Sequence, residues 1–210
     1  MILSHNKKFI YIHVYKVAGT SIRSILQEYN DLSSADFPMN ENIKFYLGKR
    51  FTFLSKWAND HLKAKKIKKY LPEEIFNNYF KFAFVRNPWD WQVSLYHYML
   101  QYNVHPQHQL INKMKSFDEY IEWRINHDLE LQKDFIFDVD GKILVDYVGR
   151  FENLQNDFNV ICSKIPITQA NLPRANASKH HNYRDYYNTY TKNLISNAFQ
   201  KDIEAFNYDF

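Results

Sequence analysis

The chain has 210 residues, of which 45% are hydrophobic and 18% aromatic, and its formal net charge is +4. This length suits one well-buried domain and is short for two, so a single domain over residues 1–210 is predicted. The charge is too small for a protein that binds nucleic acid across a whole face, whereas it suits an anionic ligand in a local basic pocket. No nucleic-acid partner is therefore expected.

Two further features of the composition limit the chemistry. The one cysteine, Cys162, excludes an internal disulfide and a zinc site built on cysteines. No apolar run approaches the ~20 residues that a membrane span requires, and the first residues show no signal-peptide pattern. We therefore expect a cytoplasmic protein without an integral membrane segment.

The first half of the chain alternates predicted strands and helices. Apolar, β-branched runs are typical of strands buried on both faces, and apolar residues at helical spacing follow them. In each strand–loop–helix unit the loop lies at the carboxyl end of the strand, where open α/β sheets bind ligands. In chain order, the predicted elements are a strand over residues 8–14, a helix from Gly19, a loop over residues 31–58 with a short strand near residues 51–54, a helix capped by Asp60, a helix from Pro72, a strand over residues 81–85 and a helix over residues 89–102.

The second half of the chain is predicted to be mostly helical. Residues 171–190 are polar, aromatic and basic, which favours a loop over a site. The other predicted elements are a helix over residues 117–125 capped by Ser116, a β-hairpin of residues 135–137 and 143–145, and helices over residues 151–165 and 194–206. The predicted fold class is α/β, with a central parallel sheet flanked by helices.

The loop after the first strand carries groups that suit an anion. Ala18 and Gly19 allow backbone N–H groups to approach an anion closely, and the helix N-terminus contributes partial positive charge. Thr20 and Ser21 add hydroxyl donors. Lys16 supplies a full positive charge, but it precedes the small residues, so this is not a Walker A loop. The alternative is a capped helix with a surface lysine.

A second anion-binding segment begins where the second strand ends. Arg86 follows that strand, and Ser94 lies on the helix after it, so both can face a ligand at the carboxyl edge of the strand. The fork of an arginine favours bidentate binding of a phosphate, and a serine hydroxyl adds a donor beside it. The alternative is that Arg86 pairs with Asp90 and that Ser94 plays no part.

Together the two segments resemble the sulfotransferases that use 3′-phosphoadenosine 5′-phosphosulfate (PAPS), especially the carbohydrate branch with the heparan-uronate 2-O- and chondroitin-type enzymes. In that family a strand, a Lys-Thr-Ala-Gly-Thr-Ser-like loop and a helix bind the 5′-phosphosulfate. A strand ending in Arg-(Asn/Asp)-Pro, with a serine eight residues after the arginine, binds the 3′-phosphate. Residues 146–154 resemble the downstream segment of these enzymes, so the resemblance covers most of the chain. It implies a P-loop-like nucleotide-binding architecture, PAPS as the sulfuryl donor and no metal.

The resemblance also implies roles for individual residues. Lys16 stands where a cation can stabilise the leaving phosphate, which makes it a catalytic as well as a donor-binding residue. His61 lies ahead of the Arg86 strand, much where the uronate 2-O-sulfotransferases have their catalytic histidine, and an imidazole suits a general base. Asp60 is the alternative base. Lys179 and Arg184 match a late basic loop that closes over the 3′-phosphate and adenine, and are otherwise solvated charges.

The predicted function is therefore transfer of a sulfuryl group from PAPS to an acceptor hydroxyl, on a carbohydrate. Five lysines between residues 63 and 69 are compatible with an anionic carbohydrate as the acceptor, although such a run is usually a solvated face. The family usually has proline where Tyr15 stands and threonine where Val17 stands. These departures favour an alternative, a catalytically silent protein that binds a nucleotide and an acidic glycan.

Overall fold

The computed structural model describes residues 1–31, 61–173 and 181–210. The chain forms two compact units, one of Met1–Val85 with Asp134–Ala175 and one of Arg86–Lys133 with Asn176–Phe210. The expected strand near residues 51–54, Asp60 and Lys179 lie outside the described residues. The single domain over residues 1–210 stays a prediction.

The first unit is built on a four-stranded sheet in the part of the chain that the structure describes. Its strands, in spatial and chain order, are β1 (Ile2–Ser4), β2 (Phe9–Ile12), β3 (Phe80–Val85) and β4 (Tyr147–Arg150). β2, β3 and β4 are parallel, and β1 pairs with β2 in the antiparallel sense. The α/β fold class is confirmed, with an antiparallel edge strand added to the predicted parallel sheet.

The two central strands are the apolar runs that the sequence predicts. Every residue of β2 is buried, and all of β3 after its first residue is buried as well. A parallel strand covered on both faces requires such continuous apolar runs. β4 was not predicted, because its residues are mostly half-buried and it contains Gly149. That glycine allows close packing, since a Cβ there would lie 2.4 Å from the Phe84 ring.

Helices of the first unit follow from buried apolar positions at helical spacing. They are α1 (Gly19–Leu26), α2 (Ala64–Tyr70), α3 (Glu73–Asn78) and α8 (Leu154–Lys164). Ile22 and Leu26 of α1 and Ile67 of α2 are buried. The predicted hairpin near residue 140 is present only in part, because its first strand is mostly helical. Residues Lys133–Ile136 form a short helix, α7, and one isolated bridge between Phe137 and Ile143 remains of the pairing.

The second unit is helical in its described residues. Its helices are α4 (Pro88–Gln101), α5 (His108–Ile111), α6 (Phe117–His127), α9 (Thr189–Ala198) and α10 (Gln200–Phe206). Ser116 caps α6 as predicted, since its side chain accepts from the backbone N–H of Glu119. The predicted helix over residues 194–206 is divided at Phe199. No helix in the described part of the chain is long and apolar enough to cross a membrane.

Candidate functional site

The loop that joins β2 to α1 has an unusual backbone. Lys16 and Ala18 both have positive φ angles, of 60° and 62°. The left-handed region disfavours residues with a Cβ by about 1–2 kcal/mol, and such residues cluster at functional sites. Left-handed residues in a turn direct successive backbone N–H groups towards one side, which forms an anion-binding concavity. This backbone form is compatible with the anion site that the sequence predicts, which stays a prediction.

Gly19 is required by packing and not by its backbone angles. A Cβ at this position would lie 1.7 Å from Nε2 of His13 and 2.4 Å from Cε1 of the same ring. The imidazole therefore lies directly beneath the start of α1. The missing side chain makes room for the histidine that supports the loop. The predicted role of Gly19 in the approach of an anion stays a prediction.

The start of α1 suits negative charge. The first N–H groups of any α-helix have no acceptor within the helix, and they carry the positive end of its dipole. α1 has no acidic residue in its first turn and no side-chain cap at Ala18. Thr20 is exposed, whereas Ser21 is buried. Of the two predicted hydroxyl donors, Thr20 is therefore the one at the surface.

His61 lies beside this loop, within the same unit. Its Nδ1 is 3.2 Å from the backbone oxygen of His13, and the two imidazole rings are 4.5 Å apart. A carbonyl oxygen only accepts hydrogen bonds, so Nδ1 carries the proton in this contact. The basic nitrogen of the neutral ring is then Nε2, which is what a general base needs. His61 precedes α2 by three residues and does not begin it, because Lys63 is extended.

His13 is a buried and neutral neighbour of His61. Burial first, and then the charges of His61, the chain's amino group and Arg23, lower the pKa of His13 well below its usual value. Its Nδ1 has no hydrogen-bond partner among the described residues. The ring packs against Tyr11, with centroids 5.7 Å apart. His13 thus contacts the start of α1 and His61 without placing a positive charge beside the His61 ring.

The structure shows where the two departures from the family pattern lie. The Tyr15 ring contacts His61 edge-on at 5.6 Å and Phe135 at 5.8 Å. Tyr15 therefore packs the loop against the imidazole of the candidate base. Val17 is fully buried, so its side chain belongs to the interior and not to the surface of the loop.

In the second unit, Arg86 is held by an acidic neighbour. Its Nε lies 2.6 Å from Oδ2 of Asp90, and the side chains are only 7% and 14% exposed. The pairing that the alternative interpretation requires is therefore present. It also directs the guanidinium along α4. Ser94 is buried one helical turn beyond Asp90, so the two share a face of that helix.

Gln132 and Asp202 are contacts of this site that sequence reasoning missed. The side-chain amide of Gln132 bonds both the backbone N–H and the backbone C=O of Arg86, at 2.9 and 2.7 Å. Asp202 in turn accepts the backbone N–H of Gln132 at 2.8 Å. Nothing in the local sequence marks Gln132. A carboxylate three residues after Phe199 and four before Phe206, both buried, was a usable sign of a buried Asp202.

Arg184 lies in the described part of the late loop, in the 3₁₀ turn Tyr183–Tyr186. Its guanidinium lies over the rings of Tyr183, at 4.7 Å, and Phe210, at 5.6 Å. Phe210 also packs edge-on against Trp89, at 5.6 Å, in the first turn of α4. The structure thus brings Arg184 to aromatic residues beside the helix that follows Arg86.

The lysines around α2 lie at the surface of the first unit. Lys65, Lys66 and Lys69 are exposed, and Lys68 pairs with Asp138 at 3.2 Å. Lys63 lies over the Phe135 ring, at 5.2 Å. The buried side of the helix is formed by Ala64 and Ile67. A search of the described residues for three or more clustered metal-ligating side chains finds none.

Comparison with known proteins adds two findings. Residues 1–209 match the sequence profile of the family described as "Sulfotransferase family". An uncharacterized protein of Archaeoglobus fulgidus is 28% identical over 113 residues, which cover 53% of this chain and 88% of that relative.

Proposed function

The chain belongs to the Sulfotransferase family, and from this membership we propose that it transfers a sulfuryl group from PAPS to a hydroxyl of a carbohydrate acceptor. The family supports sulfuryl transfer in general. The observation that favours this donor is the loop between β2 and α1, where two left-handed residues and an uncapped helix start favour a phosphate-like anion.

In this proposal the loop residues Lys16, Ala18, Gly19, Thr20 and Ser21 bind the phosphosulfate end of PAPS. The bond from sulfur to the 5′-phosphate oxygen breaks as the bond from sulfur to the acceptor oxygen forms, and adenosine 3′,5′-bisphosphate leaves. Lys16 neutralises the charge that develops on the leaving oxygen, which supplies the electrostatic stabilisation that such transfers need. The backbone N–H groups of the loop share this charge.

His61 is proposed as the general base. Its Nδ1 proton is held by the backbone oxygen of His13, which leaves Nε2 to take the proton of the acceptor hydroxyl. Because His13 is neutral, it adds no positive charge beside the His61 ring. Asp60, which lies outside the described residues, is the alternative base.

Arg86, Ser94, Lys179 and Arg184 are proposed to bind the 3′-phosphate and adenine of the donor. The ion pair with Asp90 orients the guanidinium of Arg86 and does not exclude a second anion, since the fork of an arginine carries five N–H donors. Arg184 stacks on aromatic rings, which leaves its charge exposed at the surface. Ser94 lies on the same helix face as Asp90.

A carbohydrate acceptor is proposed from the resemblance to the carbohydrate branch. The exposed lysines of α2 lie only a few residues after His61, and their charge favours an acidic saccharide over a neutral one. A neutral saccharide would make no ionic contact with these lysines.

The test is incubation of the protein with PAPS and a panel of neutral and acidic saccharides, with detection of sulfated product and of adenosine 3′,5′-bisphosphate. Sulfated product on any saccharide supports the proposal. Tight binding of the bisphosphate without product on any acceptor favours the silent binding protein instead. Failure to bind PAPS or the bisphosphate contradicts both functions.

A further inference from the structure

The backbone of Arg86 is held by a chain of contacts that ends in the last helix of the second unit. We propose that Gln132 and Asp202 are positioning residues, which place the guanidinium of Arg86 for phosphate binding. The inference rests on the function proposed above, since it takes Arg86 to be a ligand of the 3′-phosphate. Gln132 and Asp202 act through Arg86 in this inference and do not bind the phosphate themselves.

The side-chain amide of Gln132 bonds both backbone groups of Arg86. The pairing of β3 with β4 ends at Val85, opposite Arg150. At the next residue, Oε1 of Gln132 accepts the backbone N–H of Arg86 at 2.9 Å, and Nε2 donates to its backbone oxygen at 2.7 Å. Buried backbone groups require such partners. The amide thereby fixes both peptide groups around Arg86, and with them the position of its Cα.

Asp202 fixes Gln132 in turn. Its Oδ2 accepts the backbone N–H of Gln132 and its Oδ1 accepts that of Lys133, each at 2.8 Å. Asp202 is fully buried, and a buried carboxylate is stable only when its oxygens are bonded in this way. Asp202 lies on α10, so these two bonds hold Gln132 and Lys133 against that helix.

These contacts matter because the Arg86 side chain has little freedom to compensate for a shift of its backbone. The residue is 6% exposed, and its Nε is bound to Asp90. Arginine binds phosphate with a planar fork, so its contribution depends on direction as well as charge. Gln132 sets where the side chain starts and Asp90 sets where it points. Removal of the outer partners of metal ligands commonly changes affinity by about 10–100-fold, and we expect an effect at the lower end of that range for Arg86.

The experiment measures affinity by calorimetry for two nucleotides, adenosine 3′,5′-bisphosphate and adenosine 5′-phosphate. The second lacks the 3′-phosphate, so the ratio of the two affinities reports on the residues that bind this phosphate, and the Arg86→Ala background isolates the share of Arg86. Gln132→Met removes both contacts with little change in volume, and should lower this ratio about tenfold. Gln132→Glu and Asp202→Asn are smaller changes for use if Gln132→Met does not fold, and each should lower the ratio as well.

The matched control is Gln92→Met in the same unit. Gln92 is also fully buried and accepts hydrogen bonds, from the Tyr120 hydroxyl at 3.1 Å and from Arg124 at 3.3 Å, but it does not contact the backbone of Arg86. This variant should lose thermal stability and keep the affinity ratio. A role that is only structural predicts the same behaviour for the Gln132 variants.

The double variant Arg86→Ala/Gln132→Met completes the test. If Gln132 acts through Arg86, adding Gln132→Met to Arg86→Ala should not lower the ratio further. An unchanged ratio in folded Gln132 variants, or an equal further loss in the double variant, would overturn the inference. A wild-type protein that does not prefer the bisphosphate, or that keeps its preference in Arg86→Ala, would instead refute the proposed role of Arg86 itself.

Discussion

Replacing Gly19 with alanine tests the packing beneath the loop that is proposed to bind the anion. The new Cβ would lie 1.7 Å from Nε2 of His13, whereas ordinary contacts begin near 3.4 Å. The imidazole cannot retreat freely, because the rings of His61 and Tyr11 lie 4.5 and 5.7 Å away from it. We expect a loss of stability near the top of the overpacking range, about 3 kcal/mol. For a chain of this size that lowers Tm by roughly 6–12 °C.

The displaced loop should also bind the proposed anion less well, so the affinity for adenosine 3′,5′-bisphosphate should fall in Gly19→Ala. The loss of kcat should be larger, since a misplacement of about 1 Å can cost on the order of 100-fold in rate. Thermal unfolding and calorimetry measure the effects on stability and affinity. Gly141→Ala is the control, because Gly141 has a φ of 75° in a turn with nothing within 4 Å of the added Cβ. It should cost about 1 kcal/mol and leave affinity unchanged.

Removal of the ring that causes the clash should rescue the variant. In His13→Ala the backbone oxygen that bonds His61 is retained, and the space under Gly19 is open. Gly19→Ala should therefore cost much less affinity and stability in the His13→Ala background than in the wild type. Equal costs in both backgrounds would refute the packing argument, and so would a Gly19→Ala variant with normal Tm and affinity.

Three further predictions concern the same loop. Lys16→Ala should raise the barrier to transfer by about 2–4 kcal/mol, which is about a 30- to 1000-fold loss of kcat, with a smaller effect on binding of the bisphosphate. The control Lys164→Ala, at an exposed position, should have a near-normal kcat. A near-normal kcat in Lys16→Ala would remove Lys16 from the mechanism. His61→Ala should lower kcat by about 100- to 10,000-fold while that product still binds normally, and activity that persists would indicate Asp60 as the base. The pKa of His13 in the folded protein lies well below its unfolded value, so between the two values only the unfolded chain binds the proton, and the free energy of unfolding falls as the pH drops below ~6.5. Chemical denaturation from pH 8 to 5.5 should therefore show a smaller loss of stability in His13→Phe than in the wild type. An equal dependence of stability on pH in the two proteins would contradict the assignment.

Elements with a local cause were predictable from the sequence. β2 is a continuous apolar run and β3 is apolar except for Lys81, and α4 and α6 begin at residues with local capping chemistry. The loop before α1 was predicted to be an anion site because small residues, a lysine and a helix start are adjacent in the chain, and this role stays a prediction. The family profile over residues 1–209 agrees with the resemblance drawn from these segments. The residue roles within them stay predictions.

Features that depend on contacts between distant residues were not predictable. The imidazole that explains Gly19 comes from the end of β2, and the amide that pairs with Arg86 is 46 residues away in the chain. In each case a buried polar side chain makes a contact that backbone or apolar groups usually make. Hydrophobic periodicity therefore does not predict these contacts. A carboxylate on the buried side of α10 is the exception, since burial of Asp202 is explicable only if backbone donors meet it. Such a charge in an apolar pattern predicts a buried network even where the partner is unknown.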